Sequence, residues 1–216
     1  FMETVSNFFN NIAFLTITLR DVPLIIYLIY YLIITYALYC LTEQKKQGLI
    51  ILAIILIIHA NSNYFDKYPE LTMLDVGQGD SILIKLDHNK GNILIDTGGQ
   101  INFDGSEAYD LTKTKTIPYL KSLGITKLDY LILTHGDFDH AGMAPNLLKN
   151  FKIKKIILNK NHDNELEKNI ISLARKYSIE VEKVREKQMK IGSYDFKFLN
   201  GLNSSDENDD SLIIYT

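Results

Sequence analysis

The pattern of apolar positions along the chain changes near residue 65. Residues 24–41 form an apolar run of eighteen residues without a charged side chain, and residues 49–60 form a second run of twelve. A run of eighteen is close to the length of a membrane-spanning helix, whereas twelve residues are short for one. Beyond residue 65, short apolar stretches are separated by polar turns. The pattern predicts a membrane segment with about two transmembrane helices at residues 1–65 and a soluble domain at residues 66–216.

The polar connection between the two apolar runs, residues 42–48, is typical of a tight turn in a helical hairpin. It contains Lys45 and Lys46 beside one glutamate. By the positive-inside rule these lysines place the turn in the cytoplasm, which predicts a multi-pass cell-membrane protein with an extracytoplasmic soluble domain. The alternative for residues 49–60 is a buried core helix or strand. The adjacent apolar run favours the hairpin.

The N-terminal stretch, residues 1–20, has no basic start and no small-residue cleavage site, so a signal peptide is not predicted. We interpret it as an amphipathic or partial transmembrane segment. The last residue, Thr216, falls within an apparent strand. We therefore expect the chain to be a piece of a larger protein.

The soluble part predicts a mixed α/β domain. Gly77 to Asp80 form a tight turn between the first two strands, and helices are expected at residues 112–123, 145–150 and 164–177. Antiparallel strands come first, and later strands alternate with helices. This order fits two sheets packed between helical layers. The expected strands cover residues 71–76, 81–86, 92–96, 128–133, 154–158, 179–184, 194–199 and 211–215.

Charge gives no support for nucleic-acid binding. The formal net charge is -3, and residues 1–65 carry only six of the charged side chains, so the soluble part is slightly acidic. A nucleic-acid partner would therefore need local lysine patches or bound metal ions.

The single cysteine, Cys40, excludes an intrachain disulfide. It is expected to be a small buried or lipid-facing side chain.

Four potential metal ligands follow the apolar stretch at residues 130–133, and they are His135, Asp137, Asp139 and His140. His135 and Asp137 are two positions apart and point the same way in an extended segment. Asp139 and His140 come after the turn. Two divalent ions about 3.5–4 Å apart could be held here and activate a water for hydrolysis. The alternatives are a helix-capping aspartate at Asp139 and surface histidines. A mixed set of nitrogen and oxygen donors without thiolate shifts the preference from zinc toward manganese.

Three further aspartates are candidates to line this site. Asp96 ends a predicted strand and could orient a metal ligand, although a turn-initiating role is equally consistent. Asp75 and Asp80 flank the sequence Gly77-Gln78-Gly79, whose glycines permit close approach of a ligand to the backbone. The acidic loop at residues 203–210 is expected to be solvated, although an aspartate there could touch a cation.

Four segments together resemble the metallo-β-lactamase superfamily, and more sharply the C-terminal domain of ComEC-type DNA-uptake proteins. The segments are Leu74-Asp-Val-Gly-Gln-Gly-Asp-Ser81, Leu94-Ile-Asp-Thr-Gly-Gly99, Leu133-Thr-His-Gly-Asp-Phe-Asp-His140 and Asn208-Asp-Asp-Ser-Leu212. The superfamily motif reads H-x-H-x-D-H, and here Asp137 takes the place of the second histidine. The first and third segments are specific in combination.

The resemblance implies a four-layer αββα fold, truncated at its C-terminus, and a pair of divalent metal ions, Mn or Zn. His135 and Asp137 would bind one ion, and Asp139 and His140 the other. Asp139 would also be the catalytic residue that orients the attacking water, and Asn208 would line the site. The family continues with a Gly-Asp and a His-His-Gly-Ser that supply further ligands. Since neither is present, we expect this chain alone to bind metal poorly and to show no measurable turnover.

For function, the resemblance implies a membrane-tethered, metal-dependent phosphodiesterase that acts on incoming DNA, with single-stranded DNA, the membrane and other DNA-uptake components as partners. Two alternatives remain. The domain could be a non-catalytic part of a DNA-translocation machine, or the chain could be a membrane-anchored metallohydrolase of another small substrate.

Overall fold

A computed structural model describes residues 18–99, 110–160, 164–200 and 211–216. The chain divides into two compact units, residues 1–62 with 121–124 and residues 63–120 with 125–216. Most of the predicted loop at residues 101–110 and the whole acidic loop at residues 203–210 lie outside the described part.

The first unit contains two apolar helices, α1 (Leu24–Thr42) and α2 (Gln47–Ala60). A Cβ on Gly48 would lie 2.5 Å from the Ala37 Cα atom, so glycine permits the two helices to pack closely. Ala37 and Cys40 are buried at this contact, and for Cys40 this is the first of the two expected placements, buried or lipid-facing. Tyr30 and His59 are also joined across the pair, with 2.7 Å between the Tyr30 hydroxyl and His59 Nδ1.

Among the described residues, α1 is the one helix long and apolar enough to cross a membrane, with a mean hydropathy of 2.1. The second helix, α2, has 14 residues and ends at Ala60, followed by a short 3-10 helix, Ser62–Phe65. At 1.5 Å per residue α2 rises about 21 Å, which is less than the hydrocarbon core of a bilayer, about 30 Å. The outward side chains of α1 are apolar and exposed, and Leu24 and Leu32 reach 75% and 71% exposure.

The second unit is built on a six-stranded sheet in the order β1-β2-β3-β4-β5-β6. β1, β2 and β3 pair with one another in antiparallel fashion, and β3 to β6 run parallel. The strands are β1 (Glu70–Met73), β2 (Ile82–Lys85), β3 (Asn92–Ile95), β4 (Lys127–Leu133), β5 (Lys152–Asn159) and β6 (Glu180–Val184). The mixed pairing agrees with the predicted order of antiparallel strands first and helical crossovers later.

A second, antiparallel sheet packs on one face of the first. It consists of β7 (Lys187–Ile191), β8 (Tyr194–Asn200) and β9 (Leu212–Tyr215), in that order. Phe196 and Phe198 of β8 are fully buried in one apolar cluster with Ile93 and Ile132 of the large sheet. Because side chains alternate along a strand, Leu94 and Leu131 face the opposite side, where they too are fully buried.

The remaining helices are α3 (Ile117–Ser122), α4 (Phe138–Ala141), α5 (Ala144–Asn150) and α6 (Glu165–Lys176). Their buried residues, such as Leu120, Leu147 and Ile170, lie outside the cluster between the sheets. This gives the layered α/β arrangement that the sequence predicts. The Asn164 side chain caps α6 by accepting a 2.9 Å hydrogen bond from the Glu167 amide.

Three local predictions differ from the structure. The first two strands are joined by residues 74–81 rather than by a four-residue turn, because β1 ends at Met73 and β2 begins at Ile82. The predicted helix at residues 112–123 begins with a π-helical turn, Thr112–Thr116, before the α-helical part that contains Pro118. Strand β7 is absent from the sequence-based expectations, because Met189 and Ile191 are its only apolar residues.

Candidate metal centre

The candidate site forms where β4 ends. β4 is a central strand, paired in parallel with β3 on one side and with β5 on the other. Ligands in α/β sheets bind at the carboxyl ends of such strands, and Thr134 and His135 come directly after this end. The smaller sheet also reaches this point, since the Leu212 amide of β9 donates a 2.9 Å hydrogen bond to the Thr134 carbonyl oxygen.

Asp96, at the end of the neighbouring strand β3, is the centre of a hydrogen-bond network. It is buried and has a positive φ of 55°, which turns the chain sharply after Ile95. Its Oδ1 accepts from the Thr134 amide at 2.8 Å, and its Oδ2 accepts from the Thr134 hydroxyl at 2.7 Å. The Nδ1 of His140 donates to the same Oδ2 at 2.9 Å. The Asp96 carboxylate thus positions Thr134, directly before the four candidate ligands, and His140, the last of them.

The network determines which nitrogen of His135 is free. The Thr134 hydroxyl gives its only proton to Asp96, so it accepts from His135 Nδ1, which lies 3.0 Å away. The proton of the imidazole is therefore on Nδ1, and Nε2 carries a lone pair. That Nε2 is buried and has no hydrogen-bond partner among the described residues. It lies 3.6 Å from Asp137 Oδ2.

His140 is oriented in the same way. Its Nδ1 is held by Asp96, which leaves the Nε2 lone pair 3.8 Å from Asp139 Oδ2. The two imidazole rings lie side by side, with 4.0 Å between their centroids. The hydrogen bond that His140 donates to Asp96 raises the pKa of His140 above its usual value, burial opposes this, and the charges of Asp96, Asp139 and Asp80 raise it further.

The donor set fits divalent metal ions in its chemistry. Two ligand atoms on a tetrahedral ion, with bonds of about 2.1 Å, are separated by about 3.4 Å. The pairs His135–Asp137 and His140–Asp139 come close to this separation, and a buried imidazole nitrogen without a partner is a ready ligand. No group of three or more His, Cys, Asp or Glu side chains is arranged around a common metal position within the described ranges. The structure therefore presents two pairs of donors.

Glycines bring the surrounding loops against α4. Gly79 has a φ of 82°, and a Cβ there would lie 1.6 Å from the Asp139 carbonyl oxygen. From the sequence we expect this glycine to permit the approach of a ligand. The structure shows that it permits the backbone of residues 77–79 to contact the backbone that carries Asp139. On the other side, the Asn164 side chain donates a 2.8 Å hydrogen bond to the Gly136 carbonyl oxygen.

The other predicted site residues lie in different places. Asp80 is exposed but close enough to His140 for its charge to raise the pKa of that residue. Asp75 takes no part in the network around Asp96. Its carboxylate is 87% exposed and pairs with Lys115 at 2.9 Å. Hydrogen bonding to Lys115 lowers the pKa of Asp75 below its usual value. Asn208 lies outside the described residues.

A cavity of about 430 Å³ adjoins Asp139, and Gln78, Gly79, Gly99 and Phe138 complete its lining. A small substrate group could therefore reach the exposed Asp139 carboxylate.

One residue of the site, Thr134, was not predicted from the sequence. Its hydroxyl links Asp96 to His135, and this link depends on Asp96, which is distant in sequence.

The sequence profile of the metallo-beta-lactamase superfamily matches residues 74–188, a little over half of the chain. The chain belongs to this superfamily. It is also similar to "ComE operon protein 3" of Bacillus subtilis (strain 168), with 33% identity over 156 residues, which are 68% of this chain and 20% of that protein. A second relative is "Recombination protein 2" of Haemophilus influenzae, with 41% identity over 88 residues, 41% of this chain and 10% of that protein.

The chain therefore spans about a fifth and a tenth of the length of these two relatives. Among solved structures, a metallo-beta-lactamase from Staphylococcus aureus subsp. aureus COL aligns with 69% of this chain and 39% of its own. The sequence identity is 14% and the TM-score is 0.47.

Proposed function

We propose that this chain is the membrane-tethered hydrolase domain of a DNA-uptake protein, a metal-dependent phosphodiesterase that cleaves incoming DNA. The observation that carries the proposal is the buried Nε2 of His135, which lies 3.6 Å from Asp137 Oδ2 and has no hydrogen-bond partner in the part of the chain that the structure describes. Leaving a buried polar atom unpaired destabilises a fold, so such an atom is expected to serve a ligand.

The residues of the motif have distinct roles in this proposal. His135 and Asp137 would hold one divalent ion, and Asp139 and His140 a second one. When bound, the two ions would supply Lewis-acid activation of water and of the phosphate. Asp96 keeps the Nε2 lone pair of His140 turned toward Asp139. The Asp139 carboxylate, which is 55% exposed, would in addition orient a water and accept its proton.

DNA as substrate rests on the resemblance of the sequence motifs to ComEC-type DNA-uptake proteins and on the relatives. One relative carries recombination in its name, and the other is named "ComE operon protein 3". The net charge of -3 gives no independent support. Binding of the phosphate backbone would therefore depend on the metal ions and on local contacts.

The membrane location rests on α1 and α2. Their exposed apolar side chains are suited to lipid, and the connection with Lys45 and Lys46 is expected on the cytoplasmic side. The domain after residue 63 would then be extracytoplasmic.

Labelling of an introduced cysteine tests this topology. A Lys46→Cys variant in a Cys40→Ser background should react with a membrane-impermeant maleimide only after cells are opened. Reaction in intact cells would contradict this topology.

The test of the activity uses the full-length protein that contains this chain. Labelled single-stranded DNA is incubated with it and Mn²⁺ or Zn²⁺, and cleavage is compared with that of Asp139→Asn and of the double variant His135→Ala, Asp139→Ala. Loss of general-base assistance predicts a rate at least about 100-fold lower. The exposed Asp195→Asn serves as a matched control and should cleave normally.

The two alternatives give different results in the same experiment. Undiminished cleavage in the double variant would exclude this site as the catalytic centre. If the wild-type protein does not cleave DNA and the double variant still supports normal DNA uptake, the domain is a translocation component without catalysis. Hydrolysis of small esters or lactams, but not of DNA, would favour a hydrolase of another substrate.

A further inference from the structure

Three exposed aromatic side chains follow the second apolar helix. Tyr64, Phe65 and Tyr68, which we call the aromatic connector, are 55%, 68% and 78% exposed. Large aromatic side chains normally bury most of their surface, and clusters of exposed apolar groups mark interaction sites. The metal centre does not use these residues, since they lie before β1.

Two backbone carbonyl groups of the connector segment accept hydrogen bonds from His88 of the following domain. His88 Nδ1 donates to the Tyr64 carbonyl oxygen at 2.8 Å, and the His88 amide donates to the Asp66 carbonyl oxygen at 2.8 Å. Lys85, whose side chain is 3% exposed, binds Asp66 Oδ2 at 2.5 Å. Its Nζ also lies 3.5 Å from Glu70 Oε2. The aromatic side chains therefore project from an anchored backbone and not from a free tether.

Their place in the chain puts them within reach of a bilayer surface. Tyr64 is four residues after Ala60, the end of α2, so at most about 14 Å of extended chain separates the two. Because α2 is shorter than the hydrocarbon core, the residues that follow it are expected to complete the passage through the interface. Tyrosine and phenylalanine are amphipathic or apolar groups suited to the headgroup level, and Lys67 between them can meet an anionic headgroup.

We propose that the aromatic connector lies in the headgroup region of a lipid bilayer and holds the hydrolase domain against the membrane surface. This inference rests on the proposed insertion of α1 and α2. It adds that the domain has a second contact with lipid, made by its own anchored residues. Through Lys85 and His88, this contact would limit how far the domain moves away from the membrane.

The chain contains no tryptophan, so a single introduced tryptophan reports on its own position alone. We would compare Phe65→Trp and Tyr68→Trp with Tyr31→Trp in α1 and with Tyr177→Trp, which is 42% exposed at the end of α6. Each variant is reconstituted in vesicles of phosphatidylcholine and phosphatidylglycerol, with or without lipids brominated near the headgroup end of the acyl chain. Circular dichroism checks that each variant is folded.

For the two connector variants we expect blue-shifted emission and at least a twofold loss of intensity with brominated lipid, whereas Tyr177→Trp should be unaffected. If Tyr31→Trp is quenched but both connector variants behave like Tyr177→Trp, the connector proposal is wrong and membrane insertion stands. If Tyr31→Trp is not quenched either, insertion fails and the connector proposal fails with it. A blue shift without bromine quenching would assign the connector to a protein partner or a second copy of the chain, and would also overturn the proposal.

Discussion

Asp96 and His140, which are 44 positions apart in sequence, are joined by a 2.9 Å hydrogen bond from the imidazole Nδ1 to the carboxylate Oδ2. Carboxylates that hold the second nitrogen of a metal-binding histidine fix its tautomer and raise its basicity. Because the same oxygen also accepts from Thr134, this one buried side chain orients both candidate imidazoles. The pairing of β3 with β4 therefore brings Asp96 next to the candidate ligands, where it orients their imidazoles.

Replacing this carboxylate should weaken metal binding without removing a ligand. We expect Asp96→Asn to lower the affinity for Zn²⁺ or Mn²⁺ by about 10–100-fold, because the charged partner of the His140 N–H is lost. Competition with a chromophoric chelator measures this in the full-length protein. Asp75→Asn, whose carboxylate pairs with Lys115 outside the network, is the matched control. Equal affinities for Asp96→Asn and wild type would contradict the assigned role.

The tautomer of His135 is a second testable consequence. The Thr134 hydroxyl can only accept from His135 Nδ1, so in the metal-free protein the imidazole proton should be on Nδ1. Long-range ¹⁵N–¹H correlation spectra of the imidazole distinguish the two tautomers. Thr134→Val removes the hydroxyl and should produce a mixture of both. A proton on Nε2 in the wild-type protein would exclude that atom as a preformed ligand.

Gly79 should not tolerate a side chain. Its positive φ of 82° opposes alanine, and so does the distance of only 1.6 Å that would separate an added Cβ from the Asp139 carbonyl oxygen. Backbone strain alone is expected to cost about 1–3 kcal/mol of stability. Gly91→Ala is the matched control, since a Cβ there would meet only side-chain atoms of Ile191 and Leu86, at 3.3 Å or more, and no backbone atom. The midpoints of thermal unfolding compare the two variants, and equal midpoints would refute the close contact.

Glu182 gives a prediction for the pH dependence of stability. Hydrogen bonds from Lys155 and then Lys187 lower the pKa of Glu182, and the contact with Lys187 links β6 to β7. A lowered folded-state pKa means that the stabilisation is complete above the usual value of 4.5 and is lost as the pH falls through the folded-state value.

We therefore expect Glu182→Gln to reduce the free energy of unfolding at pH 7 by about 1 kcal/mol. Below the folded-state pKa of Glu182, the variant and the wild-type protein should become equally stable. Denaturant titrations across this pH range measure the difference. A difference that does not change with pH would show that the charge of Glu182 contributes nothing.

Much of the fold could be predicted because the large sheet is made of apolar runs such as that of β4, which is buried on both faces. Strand β7 could not be predicted, because it has only two apolar residues, Met189 and Ile191, and Lys187 lies on the same face as they do. The π-helical turn before α3 was also not predictable, since it depends on local packing.

For the site, the sequence predicts the ligand types but not their partners. The spacing of His135, Asp137, Asp139 and His140 is local and visible. The bridge from Thr134 to Asp96 joins the ends of two neighbouring strands, and a single sequence does not give that register. Asp75 lies three positions before Gln78 and near the same turn, yet tertiary structure directs it to Lys115.

The most direct test of the metal centre is the number of ions bound by the full-length protein. Equilibrium dialysis against Mn²⁺ or Zn²⁺, followed by elemental analysis, should give two ions per chain for the wild-type protein. The double variant His135→Ala, Asp137→Ala should lose one of them, and replacing all four ligands by alanine should abolish both. Unchanged stoichiometry and affinity in the fourfold variant would contradict the assignment of these side chains as metal ligands.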